Sequence, residues 1–319
     1  MSLTHPSSRL LAPSTRRSLA ACIAAACSAV ALPALATVQV TDCGDAGPGT
    51  LREALVSTDP VVDVSACTQI ALTSGELVES HDYVQITGNH TIITSSGASR
   101  VLSHTGTGKL SLISLEIADG AVTDVLAQGG CIESQGNVYL FASTVRNCTV
   151  TGTTAPPVDG GAFGGGIHAR GSVTLNHSVV RDNTVFNAMG TYSYAGGGGI
   201  FAGGALFVQN STISGNSVIG GGVYSHGGGA MAAGAAAVGY STISDNEAPS
   251  GGAIDFGNCL TTSFVLNSTI SGNRSEWGSA GLQSHDATLH VSNSTIAFNA
   301  LGNPSTRPRA RVPRPARAS

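Results

Sequence analysis

Side chains able to do acid–base or metal chemistry are sparse in this 319-residue chain. It has 15 Lys and Arg, 19 Asp and Glu and nine His, and charged residues make up 11%, well under the roughly 25% of a typical soluble domain. Glycoside hydrolysis needs two carboxylates about 5–9.5 Å apart. A cation-dependent lyase needs clustered carboxylates and a basic group to take a proton. Lys109 and a few scattered arginines are the available bases, and His226, His285 and His290 have no partner evident from spacing. No CxxC or Cys/His pair has zinc-ligand spacing, so no metal or cofactor is expected.

What must position these residues is a repeat. NSTISGN at 210–216 returns at 267–273, with YSTISDN at 240–246 and NSTIAFN at 293–299. The serines of this phrase align as Ser143, Ser178, Ser211, Ser241, Ser268 and Ser294. Two residues on runs an apolar column, Val145, Val180, Ile213, Ile243, Ile270 and Ile296. Three further on runs Cys148, then Asn183, Asn216, Asn246, Asn273 and Asn299. Glycine-rich entries end at Ile132, Ile167 and Ile200, each 11 residues before its serine, and Ile254 and Leu282 continue that column. Short period-2 runs such as Gly171–Leu175 and Asn137–Leu140 read as strands. Units of this length cannot bury a face alone and must stack. Short strands, turns and no crossover helices predict an all-β fold, a parallel β-helix with one unit per coil.

The columns then acquire causes. Ile213, Ile243 and Ile270 are expected to stack as an aliphatic ladder. Asn216, Asn246 and Asn273 are expected to bond amide to amide and to take the left-handed conformation at a coil corner. Glycines before each strand permit sharp corners.

If the isoleucines at 132, 167, 200 and 254 point inward, their successors point out: Glu133, His168, Phe201, Asp255 and, after Leu282, Gln283. Glu133 and His168 fall on adjacent coils roughly 5 Å apart, a polar pair and the weak catalytic candidates. Glu133 and Asp255 are about 19 Å apart by the same spacing and cannot cooperate. Asp182 and Asp245 share a column about 10 Å apart, but that column also holds Asn147, Gly215 and Gly272, so turn formation accounts for them.

The chain divides at 1–36, 37–80, 81–299 and 300–319. Arg9, Arg16 and Arg17, the apolar run 18–32 and Ala34-Leu35-Ala36 predict a cleaved signal peptide. A twin-arginine signal at 15–19 and a lipoprotein box ending at Cys22 are rival readings. The export segment is short for a membrane span and no other candidate follows, so a secreted or cell-surface protein is expected. Residues 37–299 carry seven basic and all 19 acidic side chains, a net of −12, which argues against nucleic acid as a partner. Thr50-Leu51-Arg52-Glu53 reads as a capping box opening a short N-terminal capping helix, TLREALVS. Cys43 and Cys67 flank it and are expected to pair. Cys131 and Cys148 begin and end one unit and are expected to bridge it, leaving Cys259 free. The Pro/Arg-rich stretch 300–319 predicts a disordered tail; a shifted or truncated reading frame is a second expectation for it.

The stretch Cys43-Gly-Asp-Ala-Gly-Pro-Gly-Thr-Leu-Arg-Glu-Ala54 resembles the CSLREA-type N-terminal region of bacterial secreted right-handed parallel β-helix repeat proteins. Gly251-Gly-Ala-Ile254 and Ile213-x-x-Asn216 resemble the GGA(I/L/V) and FxxN repeats of polymorphic outer-membrane proteins, with Ile usually in place of Phe. The resemblance covers roughly 38–299. It implies a right-handed, single-stranded, pectin-lyase-like scaffold at the cell surface. The expected function is structural or adhesin-like, with extracellular polysaccharide or a host surface as partner. A polysaccharide lyase or glycoside hydrolase on the same scaffold is the alternative, resting on fold analogy alone.

Overall fold

The structure is a computed structural model that describes residues 36–57, 61–97, 99–153, 161–187, 194–220, 225–256, 261–285 and 287–302. The expected signal peptide, but for its last residue, Cys259 and residues 303–319 of the expected tail lie outside the described residues.

The fold is all-β, and every pairing between its named strands is parallel, in sheets of 17, eight, seven and four strands. One coil shows the path. Ile167–Ala169 lies in the eight-stranded sheet, Val173–Asn176 and Val179–Arg181 in the 17-stranded sheet, and Thr184–Asn187 in the seven-stranded sheet. Tyr194–Gly196 in the four-stranded sheet then leads to Ile200–Ala202, which pairs with Ile167–Ala169. Each strand thus lies against its counterpart one coil on, the arrangement of a parallel β-helix.

The stretch 37–80 joins the same sheets. Thr37–Gln39 pairs with Val61–Asp63, which pairs with Tyr83–Ser95, and Leu77–Glu79 pairs with Leu102–His104. The helix is shorter than expected, Leu51–Ala54, because the chain turns off after Leu55 and buries Leu51 and Leu55 in the core. Thr50 Oγ1 accepts the Glu53 N–H at 3.4 Å, while the Glu53 carboxylate accepts from Gly49 N–H rather than from the cap residue itself. Cys43 and Cys67 are bonded. Beside them Asp45 accepts from Arg52, from the Thr73 N–H and hydroxyl and from the Ser74 N–H. Burial opposes ionisation there, yet the bonds from Ser74, Arg52 and Thr73 hold the Asp45 carboxyl well below the usual range.

Val145, Val180, Ile213, Ile243 and Ile270 stand in register and are fully buried. Each is worth about 1.5–3 kcal/mol of apolar burial. In the last described coil, Ile296 of the same column is 46% exposed.

A second set of columns is polar. Asn183 Nδ2 donates to Asn216 Oδ1, Asn216 to Asn246, Asn246 to Asn273 (each 2.9 Å) and Asn273 to Asn299 at 2.8 Å. Each Oδ1 also accepts the backbone N–H of the preceding rung, and each Nδ2 also donates to a carbonyl of the preceding coil, such as Asn216 to Val180. At Asn216, Asn246 and Asn273 two donors and two acceptor sites are therefore used, the full capacity of the group. A serine ladder runs beside it: Ser143 N–H donates to Ser178 Oγ, Ser178 to Ser211, Ser211 to Ser241, Ser241 to Ser268 and Ser268 to Ser294. That role was not read from the serine column.

The left-handed residues are not the ladder asparagines but those just before the two ladders. Ala142, His177, Asn210, Tyr240, Asn267 and Asn293 precede the serines. Asn147, Asp182, Gly215, Asp245, Gly272 and Phe298 precede the Asn column, with Asn147 before Cys148. A corner must turn before the ladder residue can point inward, so the turn falls one position earlier than expected. At Gly215 a side chain would meet both a φ of +66° and Asp182 Oδ1 at 2.6 Å, so aspartate and glycine alternate up this column.

Across the interior, Gly166 lies against Asn183, Gly199 against Asn216 and Gly229 against Asn246. One coil replaces that contact with a covalent bond: Cys131 is bonded to Cys148, with Cα atoms 5.5 Å apart. Cys148 N–H donates to Asn183 Oδ1, so the asparagine ladder meets the disulfide at this end.

Candidate functional site

The polar chemistry gathers on the other side of the coils, along the seam where the four-stranded sheet passes into the eight-stranded sheet. The left-handed glycines Gly129, Gly164, Gly197, Gly227 and Gly251 make that sharp corner. Strand alternation buries Ile132, Ile167, Ile200 and Ile254 and turns the next residue of each strand to the opposite face. The last residues of the four-stranded sheet, Gln128, Phe163, Gly196 and His226, stand in register beside them.

Opposite face does not mean exposed face here. His168 and Asp255, expected to point outward, are both buried. His168 is stacked on Phe201, with ring centroids 5.0 Å apart and planes 9° apart, and Phe163 packs edge-on against Phe201 at 5.1 Å. Loss of water pushes the His168 pKa down from 6.5 to about 4, with Arg170 and Arg100 adding in the same direction, so the ring is neutral at pH 7. Glu133 and His168 are register neighbours, but the Glu133 carboxylate is bound by Arg100 at 2.9 Å and by Gln135 at 3.3 Å. Arg100 also holds Glu76 at 2.6 Å and the carbonyls of Gln128 and Gly129. The acid is thus committed to a cation, and the base is dry, neutral and stacked. Asp182 and Asp245 occupy the left-handed turns, and Asp182 is paired with Arg181 at 2.6 Å.

Further along the seam the arrangement changes. Met231 lies over Gly196. One coil on, Asp255 is approached by His226 Nδ1, 3.0 Å from Oδ2, and by His285 Nε2, 3.2 Å from Oδ1. The two imidazoles meet edge-on with centroids 5.7 Å apart. Gln283, with its amide oxygen on Ser250 Oγ, places Nε2 3.0 Å from the same His285 nitrogen. His226 and His285 have no partner evident from sequence spacing. Their shared partner is Asp255, and the spacing hid it because the three residues come from three successive coils. His290 stacks on Phe264 with centroids 5.4 Å apart.

A third surface is the outer face of the 17-stranded sheet. Tyr139, Thr174, Phe207, Ala237, Phe264 and His290 form one outward row, and Phe141, Asn176, Gln209, Gly239 and Leu266 form the next. Phe207 is 46% and Phe264 40% exposed. Lys109 lies over the Tyr139 ring at 5.8 Å.

Among the described residues no helix is long and apolar enough to cross a membrane. Two disulfides fit an oxidising compartment. Set against protein-family models, curated proteins and solved structures, the chain finds no match in any of the three.

Proposed function

We propose that the chain is an exported, right-handed, pectin-lyase-like parallel β-helix, capped at its N-terminus by the helix Leu51–Ala54. On this reading it acts at or outside the cell surface by binding neutral polysaccharide rather than by cleaving it. The observation that carries this reading is the outward row Tyr139, Phe207 and Phe264. These rings recur on every second coil, about 9.6 Å apart by the inter-strand spacing. Thr174, Asn176 and Gln209 supply hydroxyl and amide groups between and beside them. Aromatic faces pack against the C–H faces of sugar rings while neighbouring amides bond their hydroxyls, the mix of apolar platform and few placed polar groups that binding sites use. The commitment of Glu133 to Arg100 and the burial of His168 speak for binding over catalysis.

Binding of the purified chain to immobilised neutral and anionic polysaccharides tests the reading. Retention on neutral glycans is expected, and Phe207→Ala with Phe264→Ala should abolish it. Retention unchanged by that double substitution, or absent from every glycan, would overturn it. New reducing ends or unsaturated products would replace it with a carbohydrate-active enzyme.

A further inference from the structure

We propose that His226, Asp255 and His285 form a binding site for a first-row divalent cation, zinc in the first instance, that ties three successive coils together. The proposal is independent of the glycan-binding reading. Two imidazole nitrogens and one carboxylate are a donor set of intermediate softness, suited to zinc and its late first-row neighbours rather than to calcium or magnesium. The three ligand atoms all lie within 4.8 Å of one another. A zinc tetrahedron with arms of about 2.0–2.1 Å has edges of about 3.3 Å. The nitrogen–oxygen separations are 3.0 Å from His226 and 3.2 and 3.3 Å from His285, close to those edges.

The bonding of the separate groups points the same way. Asp255 is 3% exposed, and among the described residues its ion-pair partners are both histidines, with no lysine or arginine. A carboxylate withdrawn from water requires a compensating cation. His226 Nδ1 is buried and, although 3.0 Å from Asp255, is not directed to make a hydrogen bond. His285 Nε2 lies 3.0 Å from Gln283 Nε2 and 3.3 Å from Asp255 Oδ2, and the first contact needs a bare nitrogen while the second needs a protonated one. Two imidazole nitrogens and a carboxylate oxygen gathered within 4.8 Å, one of the nitrogens buried without a hydrogen bond, make a favourable set for a divalent ion. A cation would bind the neutral His285 ring at Nε2 and replace the contact with Gln283. With His285 half exposed, a fourth position is left to water or to a donor from a bound partner.

The test uses the tag-free chain equilibrated with zinc, passed into metal-free buffer and assayed for bound metal, together with a cobalt titration read by visible absorption. One zinc per chain and the intense bands of low-coordinate cobalt are expected. Asp255→Asn should lose both, and His285→Gln should weaken binding by roughly tenfold or more. His285→Gln alters a half-exposed side chain and tests the site even if Asp255→Asn does not fold. His290→Gln, outside the cluster, should bind as the parent does. A chelator should lower the thermal midpoint of the parent and leave that of Asp255→Asn unchanged. Failure of the parent to retain zinc, or equal retention by the parent, Asp255→Asn and His285→Gln, would overturn the proposal.

Discussion

The ladder corner and the seam corner lie on the same coils and follow opposite rules. At the ladder corner Ser and Asn recur in register, and each buried amide bonds the next. At the seam the equivalent positions read Glu133, His168, Phe201, Met231, Asp255 and Gln283, and no residue type recurs from one coil to the next. A parallel stack places like above like, so a repeated polar residue needs self-complementary bonding, and the carboxamide has it. A carboxylate or an imidazolium repeated in register would repel its copy. Groups that do chemistry are therefore confined to columns that vary.

Breaking the ladder corner should cost most. Asn246→Ala removes one group from four buried hydrogen bonds and strands donors on Asn216. Denaturant unfolding should record a loss on the order of 3–4 kcal/mol, whereas a loss below about 1 kcal/mol would place the stability in the aliphatic column alone. Replacing both Cys131 and Cys148 by alanine should cost about 3 kcal/mol for a loop of this length, read by the same unfolding.

The seam should announce itself through pH. His168 binds its proton less readily folded than unfolded, so its contribution is complete above pH 6.5 and is lost as pH falls toward about 4. The shift corresponds to roughly 3 kcal/mol at most. His168→Phe should flatten the stability profile in that window, and an unchanged profile would show that the ring is not desolvated. Gly215→Ala should have the smallest effect, about 1–2 kcal/mol, from its positive φ and the contact with Asp182.

The legibility of the two corners in the sequence follows the same division. Ile213 and Asn216 stand three residues apart and recur at 243 and 246 and at 270 and 273, so their register follows from alignment alone. At the seam the isoleucine column marks the register of Glu133 and His168, but nothing marks the histidines that meet Asp255. His226, Asp255 and His285 sit at different points of three coils, and loops of unequal length separate them. Their convergence depends on how the four-stranded sheet turns into the eight-stranded one, which no local spacing encodes. The burial of His168 was hidden for a related reason, since alternation assigns a face but not what lies over it, and here that is Phe201. The left-handed positions could be located only to within a residue, because Asn, Asp and Gly crowd both sides of the corner.

The claim on which this account rests is that the asparagines act as one chain of bonds across coils. A double-mutant cycle on Asn216→Ala and Asn246→Ala, followed by equilibrium unfolding, tests it most directly. A coupling energy of about 1–2 kcal/mol is predicted for groups bonded to each other in a buried ladder. Losses that add to within about 0.5 kcal/mol would contradict it.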